Sequence, residues 1–253
     1  MLSEEKIKSE LSVLGIDIPV VFYEETDSTN TRAKEFAKSR PEKEKTPVLF
    51  VAKSQTAGRG RMGRSFVSGG GGIYMSLLIY PDSKGYDTTR ATAEAAVAIA
   101  KAVEDTTSLK PQIKWVSDIY LSSKKLAGIL CEGEMNQDGK FRYLVIGMGI
   151  NVYKNAISDE ISDIATSLED ELCTVSSPSH LCAKVVSRVL NPTGNLICEY
   201  RARSLVVGKQ VNVIKATESY TAKALEICDD YSLLVERDGK TERLFTGEVS
   251  LKI

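Results

Sequence analysis

Several residue types and patterns on which common protein functions depend are scarce or missing in this 253-residue chain. It has one histidine, His180, and its five cysteines are scattered without a CxxC pair, which argues against structural zinc and against a disulfide framework. No apolar run is long enough to span a bilayer, and the charged N-terminus lacks the apolar core of a secretory signal. These absences favour a reduced, cytoplasmic protein with no structural metal and no membrane partner.

The chain also lacks an excess of either charge. Its 33 Lys and Arg residues and 34 Asp and Glu residues leave a formal net charge of −1, so there is no basic field of the kind that collects nucleic-acid phosphates. Any cationic site must therefore be local. The hydrophobic fraction of 42% is that of an ordinary globular protein with a well-buried core, arranged as one large or two smaller domains.

The most informative segment, residues 55–66, has the sequence QTAGRGRMGRSF. Within residues 58–64 it places three arginines and three glycines, so cations are carried on a backbone with few steric restrictions. Such a segment favours a phosphate or carboxylate ligand. Taken alone, it would equally suit a solvated surface loop or a nucleic-acid contact.

Hydrophobic periodicity predicts four helical regions, over residues 2–14, 31–38, 88–103 and 179–203. Strands are predicted over residues 20–23, 47–53, 73–80, 112–116, 119–121, 126–131 and 141–152. The three consecutive strand signals after residue 112 argue for an antiparallel or mixed sheet rather than a Rossmann alternation. From Leu205 onward the short β runs predict a small all-β barrel, which divides the chain into domains 1–204 and 205–253.

Polar residues occupy the predicted start of the second helix, where Ser28, Thr29 and Asn30 follow a strand and a turn. Hydroxyls and amides at such a position most often serve as helix caps. The alternative is that they exchange hydrogen bonds with a small neutral polar group held at that helix end.

The charged residues around the glycines suit the activation of a carboxylate on a nucleotide. Arg59, Arg61, Arg64 and Lys125 supply cations that reduce the repulsion between a substrate carboxylate and an α-phosphate. Asp118 is a carboxylate that can hold Mg²⁺ on the phosphates. No GxxxxGK[ST] motif is present, so the nucleotide is not held as in a P-loop enzyme.

Taken in order, four motifs resemble those of the biotin protein ligases: DSTN at residues 27–30, QTAGRGRMGRSF, KWVSDIYLSSKKLAGIL at residues 114–130 with Glu132, and IGMGINV at residues 146–152. The resemblance implies an α+β fold, with a mixed sheet in a class II synthetase-like catalytic domain and a C-terminal SH3-like barrel. It implies synthesis of biotinyl-5′-AMP from biotin and MgATP, and transfer of biotin to a lysine of a biotin carboxyl carrier protein.

The same resemblance implies roles for individual residues. The catalytic residues would be Lys125, Arg59 and Arg61. The biotin-binding residues would be Ser28, Thr29, Asn30, Gln55, Gly58, Arg59, Gly60, Arg61, Lys125, Gly128, Gly147 and Gly149. The ATP-binding residues would be Arg61, Arg64, Phe66, Ser117, Asp118, Lys125 and Asn151, with Asp118 as the Mg²⁺ ligand.

The sequence departs from the family pattern at two places. Val116 and Ser117 replace the usual Pro-Asn pair, and Phe66 replaces a Trp after the arginine-rich core. Ser117 keeps a hydrogen-bonding group with shorter reach, while Phe66 can still stack on or cover an apolar face. We expect altered ATP affinity rather than lost activity.

Other functions stay open at this point. A lipoate ligase or octanoyl transferase resembles this family in fold, and the transferase would need a reactive cysteine such as Cys131, although its neighbours should raise the thiol pKa. A nucleic-acid- or effector-binding regulator is the rival from another class. The family's bifunctional members carry an N-terminal helix-turn-helix, for which residues 1–19 offer no room, so we expect the monofunctional type with no DNA partner. The oligomeric state is left open, a homodimer included.

Overall fold

The computed structural model describes residues 1–41, 43–81, 86–172, 177–215, 218–245 and 248–251, with the side chains of residues 62, 248, 250 and 251 left out of the description. Within these ranges the α-helices are α1 (Glu4–Val13), α2 (Thr29–Ser39), α3 (Thr88–Thr106), α4 (Leu168–Glu171), α5 (Pro178–Leu190) and α6 (Leu196–Ala202). Short 3₁₀ turns cover Arg61–Gly63, Lys154–Ala156 and Asp159–Ile161. The four predicted helical regions are confirmed, with α5 and α6 as the two parts of the last one.

The larger sheet has seven strands: β1 (Val20–Thr26), β2 (Val48–Gln55), β3 (Gly72–Ile79), β4 (Gln112–Lys114), β5 (Asp118–Leu121), β6 (Lys124–Met135) and β7 (Phe141–Asn151). Their order across the sheet is β1-β2-β3-β7-β6-β5-β4. The β1 and β2 strands are parallel, and every other neighbouring pair is antiparallel. The sheet is therefore mixed, as the sequence predicts.

The two faces of this sheet are covered differently, because alternate side chains of a strand point to opposite faces. On one face, Ile146, Met148 and Ile150 of β7 join the main hydrophobic core beneath α3 and α5. On the other face, Val145 packs into a smaller cluster under α2. Beyond α2 the second face has glycines at Gly147 and Gly149, so it presents bare backbone at the place where the arginine-rich segment lies.

The C-terminal sheet is antiparallel and contains β8 (Gln210–Ile214), β9 (Ser219–Ile227), β10 (Leu233–Arg237), β11 (Lys240–Leu244) and β12 (Glu248–Leu251). Its strand order is β11-β10-β9-β8-β12, consistent with the expected SH3-like barrel. Residues 246–247 and 252–253 of the last predicted β run lie outside the described residues. The α+β fold class is confirmed.

The second sheet packs directly against the part of the chain that precedes it. The indole Nε1 of Trp115 donates a hydrogen bond to the carbonyl of Tyr231 at 2.8 Å, and the Trp115–Val116 peptide bond is cis. The main hydrophobic core continues without a break from the larger sheet into β8, β9 and β10. The predicted boundary at residues 204/205 falls just before β8 and stays a prediction. Among the described helices, none combines the length and apolarity that crossing a membrane requires.

Candidate active site

The arginine-rich segment folds back on itself as a tight hairpin over the glycine-lined face. Phe66 N donates to Gly58 O at 2.9 Å, and Gly60 N donates to Arg64 O at 2.7 Å. At the tip, Gly63 has φ +74°, a conformation that side-chain-bearing residues seldom adopt. A Cβ on Gly58 would overlap the carbonyl oxygen of Phe66. The segment thus needs glycine at these two positions to bring its arginines over the sheet.

A cleft of about 880 Å³, measured out to its open mouth, lies beneath this hairpin. Most of the predicted site residues line it: Ser28, Thr29, Asn30, Gln55, Arg59, Gly60, Arg61, Arg64, Phe66, Ser117, Asp118, Lys125, Gly128, Gly147 and Gly149. The fold therefore brings together residues that are separated by up to 121 positions in the chain (149 − 28). Their individual roles stay predictions.

Two predicted residues lie outside the cleft lining. Gly58 packs against the returning strand of the hairpin, as described above. Asn151 is buried, and its Nδ2 donates to the carbonyl of Thr166 at 3.1 Å. This contact ties the end of β7 to the segment that precedes α4. Asn151 is predicted to bind ATP, but its side chain does not line the cleft. That role stays a prediction.

The floor of the cleft is flat backbone covered by one aromatic ring. A Cβ on Gly149 would lie 2.5 Å from Cε1 of Phe66, and one on Gly128 would lie 3.2 Å from Cε2 of the same ring. Both distances are below ordinary contact, so glycine at these positions lets the ring lie against the strands. Phe66 also meets Tyr74 edge to face, with ring centroids 6.4 Å apart. The ring and the glycine backbone together form an apolar wall of the cleft.

The cationic end of the cleft is organised around Asp118. Its Oδ1 lies 2.8 Å from Lys125 Nζ, and its Oδ2 lies 4.0 Å from Lys114 Nζ. Ser117 Oγ accepts from Arg61 at 3.3 Å and lies 3.2 Å from Asp118 Oδ1. Ser117, one of the two departures from the motif pattern, is therefore within reach of both the arginine hairpin and the carboxylate.

The opposite end of the cleft is neutral and polar. The N-cap position of α2 is Ser28, but its side chain makes no capping hydrogen bond, which leaves the hydroxyl for other partners. Gln55 Oε1 accepts from Thr29 N at 2.8 Å, and Gln55 Nε2 donates to Ser68 Oγ at 3.0 Å. The simple capping interpretation of this motif thus fails for Ser28. A neutral ligand with both donors and acceptors suits this end.

Sequence reasoning assigned no role to three polar residues behind the cleft, although it included Glu132 with the third matching motif. Ser76 is fully buried and contacts both Thr29 and Asn30, while Ser68 supports Gln55. Glu132 binds Asn30 and Lys34, and Arg59 lies 3.6 Å from it. The available signals were weak: Ser76 is a lone hydroxyl in an apolar strand, and Glu132 is a charge that follows an apolar run.

Cys131, the candidate nucleophile of the transferase route, is not an activated thiol. Burial raises the pKa of Cys131 to about 12, and the nearby charge of Glu132 adds to this effect. The prediction that the neighbours of Cys131 raise its pKa is confirmed, and such a thiol is a poor nucleophile at neutral pH. Cys131, Cys182, Cys198 and Cys228 are all free thiols, and Cys173 lies outside the described residues. In the described part of the chain, no group of three His, Cys, Asp or Glu side chains could hold a metal ion.

The arrangement suits a ligand with two different ends. Its neutral end would lie at the start of α2, its hydrocarbon part on the glycine floor, and its anionic end beside Lys125 and Arg61. At that end the cations can neutralise two anions brought close together. The electrostatic repulsion between such anions is the chief obstacle to forming a mixed acyl-phosphate anhydride.

Comparison with known proteins agrees with this chemistry. The model of the biotin/lipoate A/B protein ligase family matches residues 22–151, more than half of the chain. The bifunctional ligase/repressor BirA of Bacillus subtilis is 32% identical over 262 residues, covering 99% of this chain and 79% of its own length. The biotin–[acetyl-CoA-carboxylase] ligase of Mycobacterium tuberculosis is 29% identical over 217 residues, covering 80% of this chain and 78% of its own length.

Among solved structures, the biotin protein ligase from Aquifex aeolicus in complex with biotin and ATP superimposes with a TM-score of 0.77 and 26% identity. The match covers 92% of this chain and 98% of that one, so it includes both sheets. The chain belongs to the biotin/lipoate A/B protein ligase family.

Proposed function

We propose that this chain is a biotin protein ligase, which activates biotin with MgATP to biotinyl-5′-AMP and transfers biotin to a lysine of a biotin carboxyl carrier protein. The observation that carries the proposal is the polarity of the cleft. A neutral polar end formed by Thr29, Asn30 and Gln55 is joined by a glycine floor to a cationic end around Lys125. Biotin has the same division into a ureido ring, a valeryl chain and a carboxylate.

In the first half-reaction a biotin carboxylate oxygen attacks the α-phosphorus of ATP, and pyrophosphate leaves. Lys125 and Arg61 stand where both reacting groups carry negative charge, and their cations lower the repulsion between them. Phe66 would cover the hydrocarbon chain that carries the carboxylate and exclude water from it.

The magnesium ion enters with ATP as part of the co-substrate. Asp118 is the carboxylate at the cationic end of the cleft, and Mg²⁺ bound to a nucleotide ordinarily takes one or two protein carboxylates and keeps the phosphates as its other ligands. The donor set thus fits a nucleotide-borne ion. Asp118 would have to exchange its Lys125 partner for the metal.

In the second half-reaction the neutral amine of the carrier lysine attacks the acyl carbon of the adenylate, an amide forms, and AMP leaves. The arginine hairpin folds over the cleft and would shield the adenylate from solvent. We place the enzyme in the cytoplasm, where free thiols such as Cys182 and Cys198 stay reduced. We assign residues 1–204 to catalysis and residues 205–253 to the barrel.

The relatives support the choice of biotin over other acids. The structural neighbour was solved with biotin and ATP, and the mycobacterial relative is named for transfer to acetyl-CoA carboxylase. Lipoate and octanoate, the acids of the rival reactions, have no neutral hydrogen-bonding ring to occupy the polar end of the cleft.

Pyrophosphate exchange tests the proposal directly. The purified chain is incubated with MgATP and labelled pyrophosphate in the presence of biotin, lipoate or octanoate, and labelled ATP is measured. Exchange is expected with biotin and at background level with the other two acids. A second measurement follows transfer of biotin to an isolated carrier domain and to the same domain with its acceptor lysine replaced by arginine. Exchange with lipoate or octanoate but not with biotin would refute the proposal.

A further inference from the structure

A continuous hydrogen-bond chain runs behind the polar end of the cleft, and two of its members, Glu132 and Ser76, do not line the cleft. Glu132 lies on β6 and Ser76 on β3, with the first turn of α2 between them. Asn30 connects the two, since its Nδ2 lies 2.9 Å from Glu132 Oε2 and its Oδ1 lies 2.6 Å from Ser76 Oγ.

The orientation of the Asn30 amide is forced by its neighbours. On one side it faces Glu132 Oε2 and the carbonyl oxygen of Leu130, at 2.9 and 3.3 Å. Both are acceptors without a hydrogen, so the NH₂ group of Asn30 must point toward them. A carboxylate is needed at position 132 because its other oxygen, Oε1, accepts from Lys34 at 2.7 Å. Both hydrogens of the Asn30 amide are consumed, and Oδ1 faces Ser76.

This orientation fixes the next two hydrogens. Asn30 Oδ1 has no hydrogen to give, so the single hydrogen of Ser76 must go to it. Ser76 Oγ also lies 2.7 Å from Thr29 Oγ1, and two oxygens at that distance need a hydrogen between them. Thr29 therefore donates to Ser76. The hydroxyl hydrogen of Thr29 is therefore not available to Gln55 Oε1, which lies 3.2 Å from Thr29 Oγ1.

The consequence is that neither Thr29 Oγ1 nor the Asn30 side chain has a hydrogen left for a ligand. Toward the cleft both groups act only as acceptors. A ligand ring can satisfy them only by presenting N–H or O–H donors, as the two N–H groups of a cyclic urea do. A dithiolane ring or an alkyl chain has no such donor and would leave the acceptors unpaired, which is costly in a buried site.

We infer that Glu132 is a positioning residue which, acting through Asn30 and Ser76, holds Thr29 and Asn30 as hydrogen-bond acceptors and so directs the cleft toward rings that carry N–H groups. This role rests on the proposed function and adds to it the residues that set ring selectivity. It predicts an effect on the recognition of the ring and none on the recognition of ATP.

Four variants test this role: Glu132→Gln, Ser76→Ala, the double variant, and Glu134→Gln as a matched control. Glu134 lies two residues farther along β6, where its carboxylate binds Arg142 and Tyr143 away from the cleft. A glutamine at position 132 cannot offer acceptors to both Lys34 and Asn30, so the Asn30 amide loses its single orientation. Ser76→Ala breaks the same hydrogen-bond chain on the other side of Asn30, because alanine has no hydroxyl group.

The readouts are the dissociation constants of biotin and of lipoate, the latter measured by competition, and the KM for ATP in pyrophosphate exchange. Glu132→Gln and Ser76→Ala should each weaken biotin binding about tenfold, with lipoate binding and the KM for ATP unchanged within about twofold. Because both residues act through one chain, the double variant should resemble the single variants. Glu134→Gln should bind biotin as the wild type does.

Three results would overturn the inference while leaving the proposed function in place. The first is unchanged biotin binding in both single variants, and the second is an equal loss of biotin, lipoate and ATP recognition. The third is a double variant whose loss of biotin affinity is the product of the two single losses. Failure of the wild-type chain to bind biotin at all would instead refute the proposed function, and with it the inference.

Discussion

Lys125 Nζ lies 2.8 Å from Asp118 Oδ1, so the cation assigned to the reacting anions already has a carboxylate partner. The backbone of Lys125 is held on both sides, because its N–H donates to Ile164 O and its carbonyl accepts from Thr166 N, each at 2.9 Å. Its side chain is about one-third exposed and can therefore turn toward a ligand. Binding of MgATP would exchange this ion pair for two new ones, Lys125 with phosphate and Asp118 with the metal.

Replacing Lys125 with alanine should lower biotin-dependent pyrophosphate exchange by at least about a hundredfold, because two anions would then face each other without this cation. Lys124→Ala is the matched control, since Lys124 precedes it on the same strand and its ammonium binds the carbonyl of Ser162 at the surface. The control should keep near-normal exchange. Near-wild-type exchange in Lys125→Ala at saturating biotin and ATP would remove Lys125 from the chemistry.

Gly147→Ala should weaken biotin binding by about tenfold or more and leave the KM for ATP unchanged. A Cβ at this position would overlap Oδ1 of Asn30 and push the amide away from Ser76, while the cationic end is untouched. Gly69→Ala is the control, because a Cβ there meets nothing within 4 Å. Calorimetric titration with biotin measures the effect. Equal affinities in Gly147→Ala and the wild type would show that Asn30 takes no part in binding.

Cys131→Ala should retain pyrophosphate exchange and carrier biotinylation within about threefold. Burial raises the pKa of this thiol to about 12, so the thiolate that acyl transfer through cysteine requires is scarce at neutral pH. Mass spectrometry of the wild-type enzyme during turnover is the second measurement, and no acyl adduct on Cys131 is expected. Loss of transfer with intact adenylate synthesis would instead favour the transferase route.

The sequence predicts well the features that are local in the chain. The helices and the strands of the larger sheet follow from residue types within short windows, and their predictions agree with the structure. The polar chain behind the cleft could not be predicted, because Ser76 acquires its role only when β3 comes beside α2, 46 positions away from Asn30. Asn151 shows the reverse case: it stands in a matching motif, yet its side chain binds Thr166 O rather than lining the cleft.

The contribution of Glu132 to stability should depend on pH only in the acid range. Burial of the carboxyl opposes its ionisation, but hydrogen bonds from Lys34 and Asn30 and the charges of Lys34 and Arg59 outweigh burial and lower its pKa below the usual 4.5. The unfolded chain therefore takes up the proton first as the pH falls. The stabilisation is complete above the unfolded pKa and is lost as the pH falls through the folded one.

Denaturant unfolding of the wild type and Glu132→Gln at a series of pH values measures this contribution. The difference in free energy of unfolding should be constant between about pH 6 and 8 and should shrink below about pH 4.5. A difference that changes between pH 6 and 8 would contradict the assignment, since the Glu132 carboxyl does not titrate there.

Arg61→Gly should separate the formation of the adenylate from its retention. Arg61 reaches from the hairpin to Ser117 Oγ at 3.3 Å, so it fastens the hairpin to the strand that carries Asp118. Glycine at this position removes that contact together with one of the two cations assigned to the first half-reaction, and it makes the hairpin more flexible, while Lys125 and Asp118 stay in place. The variant should still synthesise biotinyl-5′-AMP but release it, because charge-assisted contacts no longer hold the cleft closed.

The measurement is biotin incorporation into albumin mixed with enzyme, biotin and MgATP, with Arg61→Lys as the control that keeps the charge. Several-fold more labelling of albumin by Arg61→Gly than by the wild type or Arg61→Lys is expected. If labelling stays at the wild-type level while adenylate synthesis persists, Arg61 does not retain the intermediate.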